Sequence, residues 1–144
     1  MENPNAPPQI LGNQHRKRSV ELCAGHGGLS LSLHEAGFEV MPIDWQGNRH
    51  EAVIPILHRD LCNPAQQDQT MKDIAKADFV HAAPPCGTAS AARNKKLPAR
   101  FKKMGIKEPK PLRTKEFPKG KPDLNATDRI KVKKANQIYE FIAK

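Results

Sequence analysis

The stretch Val20-Glu21-Leu22-Cys23-Ala24-Gly25-His26-Gly27-Gly28 decides the fold that this sequence predicts. Its apolar start indicates a short buried strand, and its glycines indicate a tight turn. Leu29, Leu33 and Ala36 follow at helical spacing, and Gly37 then ends the predicted helix. Such a turn lets a cofactor approach the backbone closely. The alternative is an ordinary strand-to-helix turn, because glycine turns are common.

Further strands and helices alternate along the chain. We predict strands at residues 38–45, 54–61 and 79–83, a helix from Asn63 or Pro64 to about Ala77, and a last helix at residues 125–144. In the helix after Asn63, the spacing of Met71, Ile74 and Ala75 places them on one apolar face. This alternation predicts an α/β fold with a parallel sheet. Pro42 is awkward in its strand because it removes a hydrogen-bond donor.

Cys86 directly follows two prolines and the fourth predicted strand, in Ala83-Pro84-Pro85-Cys86-Gly87-Thr88-Ala89-Ser90. Each proline fixes φ, so the cysteine is held on a stiff backbone. The glycine turn, Asp44-Trp45, Asp60 and Cys86 all follow predicted strands. Ligands of open parallel sheets bind at the carboxyl ends of the strands, so we expect these residues to converge. The alternative for Cys86 is an inert buried cysteine.

The positive charge of the chain is concentrated in its second part. The net charge is +9 over 144 residues. Residues 1–90 carry an excess of acidic side chains, whereas residues 91–144 are strongly basic. A basic segment favours a polyanionic partner, with nucleic acid first, and the alternative is a lysine-rich solvated surface. We expect a disordered stretch at 1–15 and one domain at 16–144, with a long basic loop at 87–124.

Composition excludes several classes of protein. The mean hydropathy is −0.68, and no apolar run approaches the roughly 20 residues of a membrane span. We therefore expect no membrane partner and an intracellular, soluble protein, with the nucleus as one location. The three cysteines form no Cys-x-x-Cys pair. We accordingly expect neither a disulfide framework nor a metal site.

Taken together, these motifs resemble the catalytic core of the DNA cytosine-5 methyltransferases. Glu21-Leu22-Cys23-Ala24-Gly25-His26-Gly27-Gly28 is similar to the family's Asp-Leu-Phe-Ala-Gly-x-Gly-Gly signature, and Pro85-Cys86 matches its Pro-Cys nucleophile motif. The resemblance covers roughly residues 19–92. It implies a Rossmann-like methyltransferase fold. The run from Ala83 to Ser90 also resembles, more loosely, methyltransferase-like segments of protist polyproteins.

The resemblance implies S-adenosylmethionine as the cofactor. Asp44 would accept hydrogen bonds from the ribose hydroxyls, and Trp45 would pack on the adenine. Asp60 would accept from the adenine amino group, although it equally suits a turn or helix cap. The implied cofactor-binding set is Glu21, Ala24, Gly25, Gly27, Gly28, Asp44, Trp45, Asp60 and Pro85.

The resemblance also implies the chemistry of Cys86. Its thiolate would add to C6 of a flipped-out cytosine, so that C5 accepts the methyl group. A positive field favours the thiolate. The residues that the resemblance and the charge together assign to nucleic acid are Ser90, Arg93, Lys95, Lys96, Arg100, Lys102 and Lys103. DNA is the expected partner, with RNA as the alternative.

The sequence departs from the family pattern at several points. Gly87 stands where the family has glutamine, and Cys23 replaces an aromatic residue. No Glu-Asn-Val motif occurs. The resemblance therefore implies a catalytic domain truncated at its C-terminus, with the rest of a larger methyltransferase or polyprotein as an expected partner. The alternative function is an inactive, degenerate fragment that retains nucleic-acid affinity, so enzyme activity stays open.

Overall fold

The computed structural model describes residues 15–144, and nearly all of the predicted disordered stretch at 1–15 lies outside them. The elements are β1 (Arg18–Leu22), α1 (Gly28–Glu35), β2 (Glu39–Asp44), β3 (Leu57–His58), α2 (Pro64–Ala75), β4 (Phe79–Ala82), a 3-10 helix (Ala91–Asn94), α3 (Ala99–Lys103) and α4 (Ala126–Ile142). The four strands form one parallel sheet in the order β3-β2-β1-β4. Strands stand in the same order in Rossmann sheets. The prediction of a Rossmann-like α/β fold is confirmed.

The central strand β1 forms the middle of the core. Val20 and Leu22 are 3% and 2% exposed, and they pack with Ile43, Leu61 and Phe141. β1 pairs with β2 on one side and with β4 on the other. A strand with neighbours on both sides is buried along its length, so that even the polar residues Ser19 and Glu21 are only 2% and 6% exposed.

Pro42 is accommodated in β2 because the neighbouring strand β3 does not extend as far as Pro42. The Ile43 carbonyl accepts from Ala24 N–H, and the Asp44 carbonyl accepts from Arg59 N–H on the opposite side. Since alternate residues of a parallel strand face alternate neighbours, Pro42 faces the same side as Asp44. On that side β3 pairs only with Ile43 and Asp44. The missing N–H therefore leaves no ladder bond unmade.

The third strand is much shorter than the predicted 54–61. It comprises only Leu57–His58. The preceding residues are held by the glycine turn instead: Val53 N–H donates to the His26 carbonyl, and Ile54 packs over Gly27. Pro55 lacks the N–H that a ladder needs.

The inward face of α2 also differs from the prediction. Ile74 packs against the core, but Met71 is 39% exposed and Ala75 is exposed. The buried residue is Thr70, whose hydroxyl accepts from Arg59 Nη1 at 3.2 Å. The same Arg59 nitrogen lies 2.5 Å from the Asp73 carboxylate. This polar anchor turns the Thr70 side of the helix inward.

Helix α4 closes the core at the other end of the chain. Asn125 caps it, because its side chain accepts from Asp128 N–H at 2.8 Å. Phe141 is 3% exposed, and Ile138 and Ile142 pack around the same cluster. Among residues 15–144, the structure contains no helix with the length and apolar character that crossing a membrane requires.

Part of the expected long basic loop is docked on α4. We call residues 112–121 the strap. Leu112 is 2% exposed, and its carbonyl accepts from Lys121 N–H at 2.9 Å. Gly120 has φ +121°, and a Cβ there would lie 2.7 Å from Val132. The 3-10 helix and α3 also lie within 87–124, so the segment has more regular structure than its sequence pattern suggests.

Candidate active site

A buried carboxylate fixes the start of the glycine turn relative to α1. Glu21, 6% exposed in β1, accepts from Ser30 N–H at 3.1 Å and from the Ser30 hydroxyl at 2.6 Å. Ser30 is fully buried in the first turn of α1. A negative charge at a helix N-terminus is favourable, and charged hydrogen bonds offset its desolvation. The observed role of Glu21 is thus to hold the helix; its predicted contact with cofactor stays a prediction.

A second carboxylate ties the turn to the end of β2. Asp44 Oδ2 accepts from Gly25 N–H, and Asp44 Oδ1 accepts from Trp45 N–H, both at 2.8 Å. Asn48 completes the link by donating to the Gly25 carbonyl at 2.6 Å. Sequence reasoning did not identify Asn48, since a lone asparagine after a strand carries no distinctive signal. Asp44 and the turn therefore form one unit at the carboxyl ends of β1 and β2.

The three glycines of the turn have different surroundings. A Cβ on Gly27 would lie 2.6 Å from Ile54, and one on Gly28 would collide with the His26 ring. His26 Nδ1 accepts from Gly28 N–H at 2.8 Å. By contrast, a Cβ on Gly25 would have only His50 within 4 Å, at 3.7 Å. Gly25 is consequently the glycine with an open side.

Trp45 and Asp60 lie beside this unit in exposed positions. Trp45 is 58% exposed, and its ring lies against Gly47. Asp60 Oδ1 accepts from Cys62 N–H at 2.9 Å, a turn contact. The Asp60 backbone N–H also donates to Gln66 Oε1 at 2.6 Å. A role of Asp60 toward adenine stays a prediction.

Cys86 is exposed just after β4. Its carbonyl accepts from Ala89 N–H at 2.9 Å and from Ser90 N–H at 2.8 Å, which closes a turn. Since β4 pairs with β1, the Cys86 turn and the glycine turn follow neighbouring strands. The strand order reverses between these two strands, the place where Rossmann sheets bind ligands.

The other two cysteines are in different environments. Burial raises the pKa of Cys23 from 9.0 to about 11, with smaller contributions from the nearby Asp44 carboxylate and the Cys62 sulfur. Cys23 also has φ 57°, a left-handed conformation that is uncommon without glycine. Burial, and then the Asp60 carboxylate, raises the pKa of the Cys62 thiol. Both thiols are therefore protonated at neutral pH.

Some of the basic residues that follow Cys86 have partners within the chain, and others are exposed without an ion-pair partner. Arg93 donates to the carbonyls of Lys110 and Gly87 at 3.0 and 3.3 Å. Arg100 lies over its neighbour's ring, 4.8 Å from the Phe101 centroid, and Lys102 pairs with Glu108 at 2.8 Å. Within residues 15–144, three exposed lysines of the predicted set have no ion-pair partner: Lys95, Lys96 and Lys103.

An open groove of about 780 Å³ lies in the same basic segment. Its walls include Arg93, Lys102, Lys107 and Lys110, together with Asn125 and Asp128. In the described part of the chain, no three His, Cys, Asp or Glu side chains lie close enough together to hold a metal ion.

We predict that an alkylating reagent distinguishes Cys86 from Cys23 at pH 8. Because the thiolate reacts, a pKa near 11 rather than 9.0 lowers the reactive fraction of Cys23 by about 100-fold. Exposed Cys86 should therefore be labelled by iodoacetamide long before Cys23, and raising the pH toward 11 should increase the labelling rate of Cys23. Peptide mapping by mass spectrometry measures each rate. Equal labelling rates of Cys23 and Cys86 at pH 8 would contradict the buried environment of Cys23.

The family model of the C-5 cytosine-specific DNA methylases matches residues 17–104. This span includes the glycine turn, Asp44 and Cys86, and it covers more than half of the 144 residues. No match was found among curated proteins or among solved structures. On the strength of the family match, which contains the two turns described above, the chain belongs to the C-5 cytosine-specific DNA methylase family.

Proposed function

We propose that this chain binds S-adenosylmethionine at the glycine turn and transfers its methyl group to C5 of cytosine in DNA, with Cys86 as the nucleophile. One observation carries the proposal. An exposed cysteine and a glycine turn tied to an acidic residue follow neighbouring strands of one parallel sheet. Family membership supports the reaction class.

The residues of the turn suit the cofactor in shape and in chemistry. Gly25 leaves open space at its α-carbon. Each Asp44 oxygen accepts one backbone N–H, and a carboxylate oxygen has further capacity to accept ribose hydroxyls. Trp45 offers an exposed aromatic face next to that carboxylate. When bound, S-adenosylmethionine supplies an electrophilic methyl group on a sulfonium.

Cys86 has the exposure that attack on a base requires. The thiolate forms a bond to C6 of a flipped-out cytosine, and the ring electrons move to C5, which becomes nucleophilic. After C5 has been methylated, loss of the C5 proton and of the thiolate restores the ring. The rigid Pro84-Pro85 backbone limits the movement of the nucleophile.

Exposed lysines supply the attraction to the phosphate backbone. Lys95, Lys96 and Lys103 lie on the segment that follows Cys86, and free ammonium groups add sequence-independent affinity. Phosphate binding by these lysines does not require a reactive Cys86. The lysines therefore also favour a second candidate function, an inactive methylase-like domain that still binds nucleic acid.

We expect Asp44→Asn to weaken binding of S-adenosylmethionine by about tenfold or more, because a charged acceptor of two hydroxyls is lost. Trp45 is the single tryptophan of the chain, so its fluorescence provides the titration signal. Asp68→Asn, an exposed change on α2, serves as the matched control. Equal affinity in the two variants would remove Asp44 from the cofactor site.

Covalent capture tests the reaction itself. An oligonucleotide with 5-fluorocytosine should form a stable adduct with the wild-type chain and cofactor, because fluorine at C5 blocks the final elimination. Cys86→Ser should abolish the adduct, whereas Cys62→Ser should keep it. An adduct on Cys86→Ser would reject the nucleophile, and a folded, cofactor-binding wild type without adduct would favour the inactive domain.

Affinity for DNA should depend on the exposed lysines through salt. Each phosphate contact contributes about 0.9 to the slope of log K against log salt. The double change Lys95→Gln and Lys96→Gln should therefore lower the slope by about 2 in fluorescence anisotropy titrations. The control pair is Lys72→Gln, on α2, together with Lys76→Gln, directly after α2, because both lie outside the basic segment. The same fall in both double variants would indicate general charge rather than a DNA-binding surface.

A further inference from the structure

Three side chains from the second half of the chain contact the residues on both sides of Cys86. The Tyr139 hydroxyl donates to the Pro85 carbonyl, just before the cysteine. Arg93 Nη1 donates to the Gly87 carbonyl at 3.3 Å, just after it. Arg113 donates to the Thr88 hydroxyl from Nε at 3.3 Å and from Nη2 at 3.0 Å. The backbone around Cys86 is restrained while its side chain stays exposed.

Arg113 joins these contacts into one network. Its Nη1 donates to the Pro118 carbonyl and to Asn136 Oδ1, both at 2.7 Å. Its guanidinium carbon lies 5.5 Å from the centroid of the Tyr139 ring. Asn136 in turn donates to the Lys119 carbonyl at 2.9 Å. One guanidinium therefore links the Cys86 turn, the strap and α4.

The geometry of this network requires arginine rather than a positive charge alone. A planar guanidinium offers several donors in fixed directions and can stack on an aromatic ring, whereas lysine offers a flexible point charge. The donors of Arg113 point in three directions at once, toward Thr88, Pro118 and Asn136. Because these donors already have partners, Arg113 is not available to bind phosphate as the exposed lysines are.

We infer that Arg113 is a positioning residue for Cys86: it holds the turn that carries the thiol against the strap and α4. The inference takes from the proposed function only that Cys86 is the reacting group. Tyr139 and Thr88 belong to the same device, since they connect Arg113 to the backbone before and after the cysteine.

Amide hydrogen exchange of residues 87–90 tests the restraint without any need for catalysis. The amides of Ala89 and Ser90 donate to the Cys86 carbonyl, so they report opening of the turn. Exchange should accelerate about tenfold in Arg113→Gln and also in Arg113→Lys, which keeps the charge but not the fork. Lys115→Gln, an exposed change in the strap, should leave it unchanged.

Covalent capture by the fluorocytosine oligonucleotide gives the second readout. Both Arg113 variants should be captured about tenfold more slowly than the wild type, with unchanged affinity for S-adenosylmethionine and an unchanged salt slope for DNA. Tyr139→Phe removes only the hydroxyl that contacts the Pro85 carbonyl. This variant therefore tests the restraint on the Cys86 turn if the Arg113 variants fail to fold. It should accelerate exchange of the same amides.

The outcomes separate the inference from the proposed function. Faster exchange in the Arg113 variants supports the restraint, and slower capture extends it to reactivity. Wild-type exchange in Arg113→Lys and Tyr139→Phe would overturn the inference. If the wild-type chain forms no adduct, the proposed function fails, and exchange alone still decides whether Arg113 holds the turn.

Discussion

The hydrogen bonds from buried Ser30 to the Glu21 carboxylate are the interaction on which the rest of this structure depends. They join the central strand to the first helix across the glycine turn. A carboxylate inside a sheet is costly unless it is fully hydrogen-bonded, so Glu21 and Ser30 act as one unit. With these two ends fixed, Gly25 is held where Asp44 can accept its N–H. The glycine turn of the candidate site is thus positioned by contacts that lie beneath its surface.

The elements that the sequence predicted well are those with local signals. Gly37 ends α1, and Asn125 caps α4, because each acts on neighbouring backbone groups. Asp44 and Cys86 were placed at one edge of the sheet by the rule that parallel strands end together.

What the sequence did not predict rests on contacts between distant residues. The short β3 results from Ile54 packing over Gly27, and the inward face of α2 results from the link between Arg59 and Asp73. Phe141 was missed as a core residue for the same reason. Arg113 carries no signal within a basic run, since counts of charge do not reveal which donors have partners.

The basic side chains of residues 91–144 fall into two groups that composition does not separate. The arginines donate to backbone carbonyls or side chains or stack on a ring: Arg93, Arg100, Arg113 and Arg129. Lys95, Lys96 and Lys103 remain exposed and without ion-pair partners in the described chain. Every arginine of the segment therefore has a partner within the chain, whereas some of its lysines stay exposed. This difference agrees with the several fixed donors of a planar guanidinium and the flexible side chain of lysine.

The position of Phe141 in the core has a consequence for how the chain folds during synthesis. Val20 and Leu22 leave the ribosome well before Phe141, whose aromatic ring packs in the same cluster. Parallel pairing of β1 with β4 likewise joins residues far apart in sequence, and such non-local contacts form slowly. The nascent chain therefore exposes the apolar side chains of its central strand until α4 is made. Protection of the nascent chain by a chaperone matters most over this interval.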